Sequence, residues 1–204
     1  MKLHHAAASP FVRTVMITAH ELGVADQIEL IDPGIVLPIE RHEGVTSDNP
    51  LGRIPTLITD DGDAMYDSRV ICEYLDDIAQ GSVFPANHKE RFRALTLLAL
   101  AQGVCDTAVN LRYETFLRPK EKQWDNWIER QEHRILDVLN DLELNWLQDL
   151  KSLTIGTIGT AAMLGYLDFR FDDMGWRTGR PGLENFYEQF SARPSMHATA
   201  IPAG

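Results

Sequence analysis

The chain has 204 residues, 44% of them hydrophobic and 24% charged, which is typical of a globular protein and excludes disorder over the whole chain. No apolar run reaches the ~20 residues that a membrane span needs, so we expect no membrane partner. The net charge is −11, of which −9 lies within residues 1–80, and so acidic a segment repels nucleic-acid backbones.

Residues 1–80 alternate short strand-like and helical segments, a pattern that indicates an α/β domain. The first strand candidate covers residues 2–7. Ser9 and Pro10 then open a helix, because Ser is a favoured N-cap and Pro is favoured at the first helical position. Gly23 is placed to end this helix, since glycine readily takes the left-handed conformation just beyond a helix terminus.

The rest of this first part predicts a further strand, an irregular segment and a hairpin. A short apolar strand is predicted over 28–31, and the prolines and glycine within 32–49 predict an irregular segment. Residues 56–59 and 64–66 flank an Asp-Gly pair, which is a strong signal for a β-hairpin turn. A helix then begins at Asp67-Ser68.

Residues 81–85 have the glycine and proline of a linker, and the chain beyond this linker reads as helical throughout. Long apolar-periodic segments predict helices over 92–117, 124–146 and 155–171. We therefore predict two domains, an α/β domain over residues 1–80 and an all-helical domain over 88–204.

The cysteine and histidine patterns argue against metal chemistry. Cys72 and Cys105 form no CxxC pair, and both lie at apolar helical positions, so we expect buried, inert thiols. Reduced thiols and the lack of a signal-peptide pattern favour a cytoplasmic location. No histidine or cysteine spacing matches a structural zinc site, and we expect no metal.

Four motifs carry a resemblance to a known family. Ser9-Pro-Phe-Val-Arg13 resembles the catalytic strand–helix corner of bacterial glutathione S-transferases, and residues 49–57 are similar to their NPxG(K/R)(V/I)PxL segment. Residues 67–71 resemble the (E/D)S-x-x-I segment that grips the γ-glutamyl group, and 165–170 a buried helix of a short bacterial subfamily. The chain is thereby identified as similar to short serine-type cytosolic members. The resemblance implies a thioredoxin-like first domain with a mixed four-stranded sheet.

Ser9 is the catalytic residue that the resemblance implies, as the hydroxyl donor to a glutathione thiolate. A local alternative is that Ser9 only caps the helix, with its Oγ accepting from a backbone N–H. No tyrosine precedes Tyr66, which argues against a tyrosine-type enzyme. The position after the first strand is Ser rather than Cys, which argues against the thiol–disulfide branch.

The resemblance also assigns glutathione-binding roles around two short motifs. Ile54 would offer its backbone N–H and C=O to the cysteinyl backbone of glutathione, next to a cis Pro55, although trans is the ordinary state of an X–Pro bond. Asp67 would pair with the ammonium and Ser68 with the carboxylate of the γ-glutamyl group, the alternative being a plain helix cap. Arg53 would reach the glycyl carboxylate unless it is simply solvated.

The second-substrate site is implied to lie between the domains, and four residues are candidates for it: Phe11, Arg112, Tyr113 and Phe116. The buried helix departs from the family pattern at its start. The family has a Ser/Thr-x-x-Asp capping box there, whereas this chain has Thr154 and Thr157. We expect the hydroxyl cap to persist without a reciprocal carboxylate, at a cost of about 1 kcal/mol.

The implied function is conjugation of the glutathione thiolate to small hydrophobic electrophiles, a detoxification reaction. Glutathione would be a co-substrate, no cofactor would be permanently bound, and the resemblance implies a homodimer. Two alternatives stay open: a glutathione-dependent isomerase or reductase on the same site, and a non-catalytic binding or regulatory protein that keeps only the fold.

Overall fold

The computed structural model describes residues 1–201, which divide into two compact units. The first unit holds residues 1–84 together with the segment that begins at Arg193, and the second holds residues 85–192. The C-terminal segment thus belongs with the first unit, whereas the sequence-based division placed all of 88–204 in the helical domain.

A mixed four-stranded sheet forms the centre of the first unit. Its strands are β1 (Lys2–His4), β2 (Glu29–Ile31), β3 (Thr56–Ile58) and β4 (Ala64–Met65), in the order β2-β1-β3-β4. β1 pairs parallel with β2 and antiparallel with β3, so that Leu3 lies opposite both Leu30 and Leu57. Leu3 and Leu57 are fully buried, which fixes the register of the central pair.

Three helices surround this sheet: α1 (Pro10–Glu21), α2 (Glu43–Thr46) and α3 (Ser68–Ile78). α1 packs against α3, and the left-handed Gly23, with φ of +70°, follows the end of α1 as the sequence predicts. The sequence does not predict α2, which is a single turn inside the segment expected to be irregular, and its N-cap, His42, makes no side-chain capping bond.

The second unit consists of α4 (His88–Phe116), α5 (Asp125–Asn145), α6 (Ile155–Arg170) and α7 (Pro181–Ser191). α6 packs closely on α4 because Gly156 lacks a side chain: a Cβ there would lie 2.7 Å from the carbonyl oxygen of Ala94. Every residue of α6 from Ile155 to Leu167 is buried, so α6 is the core of this unit.

One helix within residues 1–201, α4, is long and apolar enough to cross a membrane by length and composition. The expectation that no apolar segment approaches the length of a membrane span therefore does not hold for α4. The buried core helices of soluble proteins meet the same criterion, and 56% of the apolar window of α4 is buried.

The start of α6 corrects the predicted loss of its capping box. The Thr157 hydroxyl accepts from the Thr154 N–H at 2.8 Å, and the Thr154 hydroxyl accepts from the Thr157 N–H at 3.4 Å. Both reciprocal bonds of a capping box are present because a threonine Oγ1 serves as the acceptor that a carboxylate usually supplies.

A short helix, α8 (Pro194–Ala198), attaches the C-terminal segment to α1. The carboxylate of Glu21, at the end of α1, accepts two hydrogen bonds from the Arg193 guanidinium, at 2.7 and 2.6 Å, and one from the Ser195 hydroxyl. These bonds, those from Arg193 above all, hold the pKa of Glu21 below its ordinary value.

This network predicts a pH-dependent contribution to stability. Because the pKa of Glu21 is lowered on folding, its contribution is complete above the unfolded value of about 4.3 and is lost as the pH falls through the folded value. We expect Glu21→Gln to cost about 1–2 kcal/mol at pH 7 and much less at pH 3. Urea unfolding at both pH values measures this, with Glu29→Gln, at an exposed strand position, as the control. An equal cost at both pH values would contradict it.

Candidate functional site

Ser9 is half-buried at the N-cap of α1, directly after the turn that follows β1. Its Oγ accepts from the Val12 N–H at 3.3 Å, so the capping interpretation is correct as far as it goes. A hydroxyl has one proton and two lone pairs, and within residues 1–201 the Ser9 proton has no acceptor. Capping and donation to a ligand are therefore compatible at this residue.

The segment before β3 presents a backbone edge at Ile54. The Ile54–Pro55 peptide is cis and Pro55 is buried. Within the described part of the chain, neither the N–H nor the C=O of Ile54 has a hydrogen-bond partner. Two peptide groups of the same residue are thus available to a ligand backbone, as the resemblance implies. The Arg53 side chain is exposed beside them.

Asn49 holds this segment in place, a role that the motif over residues 49–57 does not by itself assign to it. Its side chain is 1% exposed and donates to the Arg53 carbonyl and to the Thr56 hydroxyl, both at 3.0 Å, while its oxygen accepts from the Leu51 N–H. The neighbouring Asp48 bonds His4 of β1 at 2.7 Å. The signal was available, since Asn and Asp often bond nearby backbone in turns.

Asp67 and Ser68 lie at the N-terminus of α3. Asp67 is exposed, and its Oδ1 accepts from the Arg69 N–H at 3.0 Å, which is the bond of a helix cap. Its Oδ2 makes no hydrogen bond to any residue in the range 1–201 and is open to a cation. Ser68 is 2% exposed at the first position of the helix, where the helix dipole favours an anion. The preceding Tyr66–Asp67 peptide is also cis.

Neither cysteine thiol ionises readily to a thiolate. Burial raises the pKa of Cys72 to about 12 and raises that of Cys105 as well. Chemistry at a sulfur anion therefore needs a thiol from a ligand. Among residues 1–201, no group of three or more His, Cys, Asp or Glu side chains is placed to hold a metal ion.

The predicted second-substrate residues belong to different units. Phe11 is half-buried on α1, and Arg112, Tyr113 and Phe116 follow one another along the last turns of α4. The Arg112 guanidinium lies 3.9 Å from the centre of the Phe116 ring, and Phe116 is 64% exposed. An aromatic and cationic surface therefore lies at this end of α4.

A cavity of about 590 Å³ lies elsewhere, between α4 and α5. Its lining includes the indoles of Trp124 and Trp127 and the guanidiniums of Arg130 and Arg134. None of the predicted site residues lines it, so it gives no support to their assignment.

The mixed four-stranded sheet with its helices, and the separate unit of four helices, define a thioredoxin-like α/β fold joined to an all-α unit, as predicted. The family model of the glutathione S-transferase N-terminal domain matches residues 8–78, which include Ser9, Ile54 and Asp67. YibF of Escherichia coli K-12, described as an uncharacterised GST-like protein, is 33% identical over 208 residues that cover 99% of each chain. The chain belongs to the glutathione S-transferase family.

Solved structures give the same result. A glutathione transferase family member from Pseudomonas fluorescens Pf-5, 41% identical, has a TM-score of 0.95 with glutathione bound, over 99% of each chain. With S-(propanoic acid)-glutathione bound, its TM-score is 0.92 over the whole of both chains. A glutathione S-transferase from Methylobacillus flagellatus KT with glutathione bound is 32% identical, with a TM-score of 0.87 over 98% of this chain and 99% of that one.

Proposed function

We propose that this protein is a glutathione transferase that binds glutathione on its first unit and joins the sulfur to a small electrophile. The observation that carries the proposal is the Ser9 hydroxyl, whose proton is unused at the N-terminus of α1. The unpartnered peptide groups of Ile54 and the open carboxylate oxygen of Asp67 support it. Glutathione in two relatives that are 41% and 32% identical supports it as well.

The chemical task is to ionise a thiol at neutral pH. An ordinary cysteine thiol has a pKa of about 8.5, and lowering it by two units takes about 2.7 kcal/mol of extra stabilisation of the anion. A hydrogen bond from Ser9 and the dipole of α1 both favour the anion. The thiolate sulfur then forms a bond to an electrophilic carbon. A leaving group departs with its electron pair, or the electrons of a carbon–carbon double bond take up a proton.

The remaining roles in this proposal follow the sequence predictions. Ile54 holds the cysteinyl backbone of glutathione beside Pro55. Asp67 holds its ammonium, Ser68 and the start of α3 its γ-glutamyl carboxylate, and Arg53 its glycyl carboxylate. Phe11, Arg112, Tyr113 and Phe116 contact the second substrate. We also propose a cytoplasmic homodimer that acts in detoxification, with no permanently bound cofactor.

Calorimetry and turnover assays test this function together. We expect saturable binding of glutathione to the purified protein, and conjugation of at least one member of a panel of aryl halides, alkyl halides and activated alkenes. S-methylglutathione serves as the control, because it fills the same site without an ionisable thiol and should bind without reacting. Failure of both ligands to bind at millimolar concentration would contradict the proposal, and binding without turnover of any substrate would favour a non-catalytic protein.

A further inference from the structure

His4 is a buried polar residue of β1 that has no role in the site proposed above. Its Nε2 lies 2.7 Å from a carboxylate oxygen of Asp48, and Nε2 is the donor because a carboxylate only accepts. The other ring nitrogen, Nδ1, is buried and has no partner among residues 1–201. His4 is 5% exposed, so this unsatisfied nitrogen costs free energy that an apolar side chain would not. Stability alone therefore does not account for a histidine here.

The bond from His4 closes a ring of four residues: His4, Asp48, Asn49 and Thr56. Asp48 and Asn49 are neighbours in the chain, and the Asn49 amide donates to the Thr56 hydroxyl at 3.0 Å. Thr56 lies directly opposite His4 where β3 pairs with β1. Three members of the ring are at most 5% exposed, and polar bonds shielded from water in this way hold their groups in one geometry.

The ring lies between two parts of the candidate site. On one side, β1 runs from His4 into the turn that ends at Ser9. On the other side, the two ring members that flank residues 50–55 both donate to the Arg53 carbonyl, at 3.0 and 2.9 Å, next to Ile54. The separation between the Ser9 hydroxyl and the peptide groups of Ile54 therefore depends on the ring.

We propose that His4 and Asp48 are positioning residues for glutathione, because their bond fixes the segment before β3 against β1 and so sets where Ile54 lies relative to Ser9. The inference rests on the proposed function. A segment that is ordered before the ligand arrives loses less conformational entropy on binding, so the pair acts on affinity. The Ser9 hydroxyl stays at the N-cap of α1 with or without the pair, and the pKa of the bound thiol should not depend on it.

Replacing His4 by leucine separates this role from a purely structural one. Leucine fills a similar volume and removes the unpaired Nδ1, and water can solvate the Asp48 side chain, which is 33% exposed. We expect His4→Leu to resist urea at least as well as the wild-type protein, yet to bind glutathione about tenfold more weakly by calorimetry. The ultraviolet titration of the thiolate in the saturated complex should be unchanged. A purely structural histidine would instead lower the urea midpoint and leave the affinity as it was.

Two further variants test the bond itself. His4→Gln keeps an amide N–H donor near the position of Nε2 and should restore most of the affinity. Asp48→Ala should weaken binding as much as His4→Leu does, and the double variant should bind no more weakly than either single variant. In the free protein, the Leu51 N–H, which donates to the Asn49 side chain at 3.0 Å, should exchange its hydrogen faster in both single variants.

Asp60→Ala is the matched control for Asp48→Ala. The Asp60 carboxylate forms an ion pair of the same length, 2.7 Å, with the N-terminal ammonium, at the other end of the β1–β3 pair. This variant should keep the wild-type affinity for glutathione. Unchanged affinity in His4→Leu, or a loss of affinity that Asp60→Ala shares, would overturn the proposal. A wild-type protein that does not bind glutathione at all would instead overturn the proposed function.

Discussion

Replacing Ser9 by alanine is expected to slow conjugation by at least about tenfold while leaving glutathione affinity nearly unchanged. The hydroxyl donates much more strongly to an anionic sulfur than to a neutral one, so its loss mainly raises the pKa of the bound thiol and leaves the other contacts to the tripeptide in place. The ultraviolet absorbance of the thiolate, titrated against pH in the wild-type and variant complexes, measures that pKa directly. The variant should titrate at a higher pH, and an identical titration would contradict the assignment.

Two controls separate this effect from the loss of a helix cap, because the Oγ of Ser9 also accepts from the Val12 N–H. Ser9→Thr keeps both the hydroxyl and the cap and should keep most of the activity. Asn87→Ala removes the cap of α4, where the Asn87 side chain accepts from the Lys89 and Glu90 N–H groups. It should cost about 1 kcal/mol of stability, as losing the cap at Ser9 does, without shifting the thiol pKa.

The elements that the sequence predicts well are those with a local cause. Ser9 and Pro10 start α1, Gly23 follows its end, and the Asp-Gly turn joins β3 to β4. Each signal lies within a few residues of its effect. α2 has no such signal: it is a single turn inside a segment rich in helix breakers, and its N-cap makes no side-chain bond. Its buried Val45 ties it to the rest of the unit, which no local pattern reveals.

The start of α6 illustrates a different limit. The sequence shows threonine where an acid is expected, and residue type alone predicts the loss of one capping bond. Whether the Thr157 hydroxyl reaches the Thr154 N–H depends on its rotamer, and the structure places it at 2.8 Å. A motif defined by residue types therefore does not show that a threonine hydroxyl can accept the capping bond that a carboxylate usually accepts.

The residues of the candidate site also differ in how far the sequence predicts their roles. Ser9, Ile54 and Asp67 belong to short motifs and can be identified from a resemblance. Asn49 stands in one of these motifs, but its bonds to the Arg53 carbonyl and the Thr56 hydroxyl depend on how the segment before β3 folds. At Ser9, capping the helix and donating to a ligand do not exclude each other, because a hydroxyl accepts and donates at the same time.

Replacing Asp67 by asparagine is expected to weaken glutathione binding about tenfold with little change in stability. Asparagine caps a helix as well as aspartate does, so the bond to the Arg69 N–H is kept, and only the negative charge is lost. In the proposed complex that charge faces the ammonium of the γ-glutamyl group, and Oδ2 is the oxygen left open for it. Calorimetry with glutathione gives the dissociation constant, and thermal unfolding verifies that α3 is intact.

A glutathione analogue that lacks the α-amino group shows whether the ammonium is the partner of Asp67. The wild-type protein should bind the analogue more weakly than glutathione, and Asp67→Asn should cost the analogue almost nothing, because the charge has no ammonium to meet. A variant that weakens both ligands by the same factor would place the role of Asp67 in the shape of the α3 N-terminus instead. The coupling between one carboxylate and one amino group thus decides whether this helix start is only a cap or also the recognition site for the γ-glutamyl group.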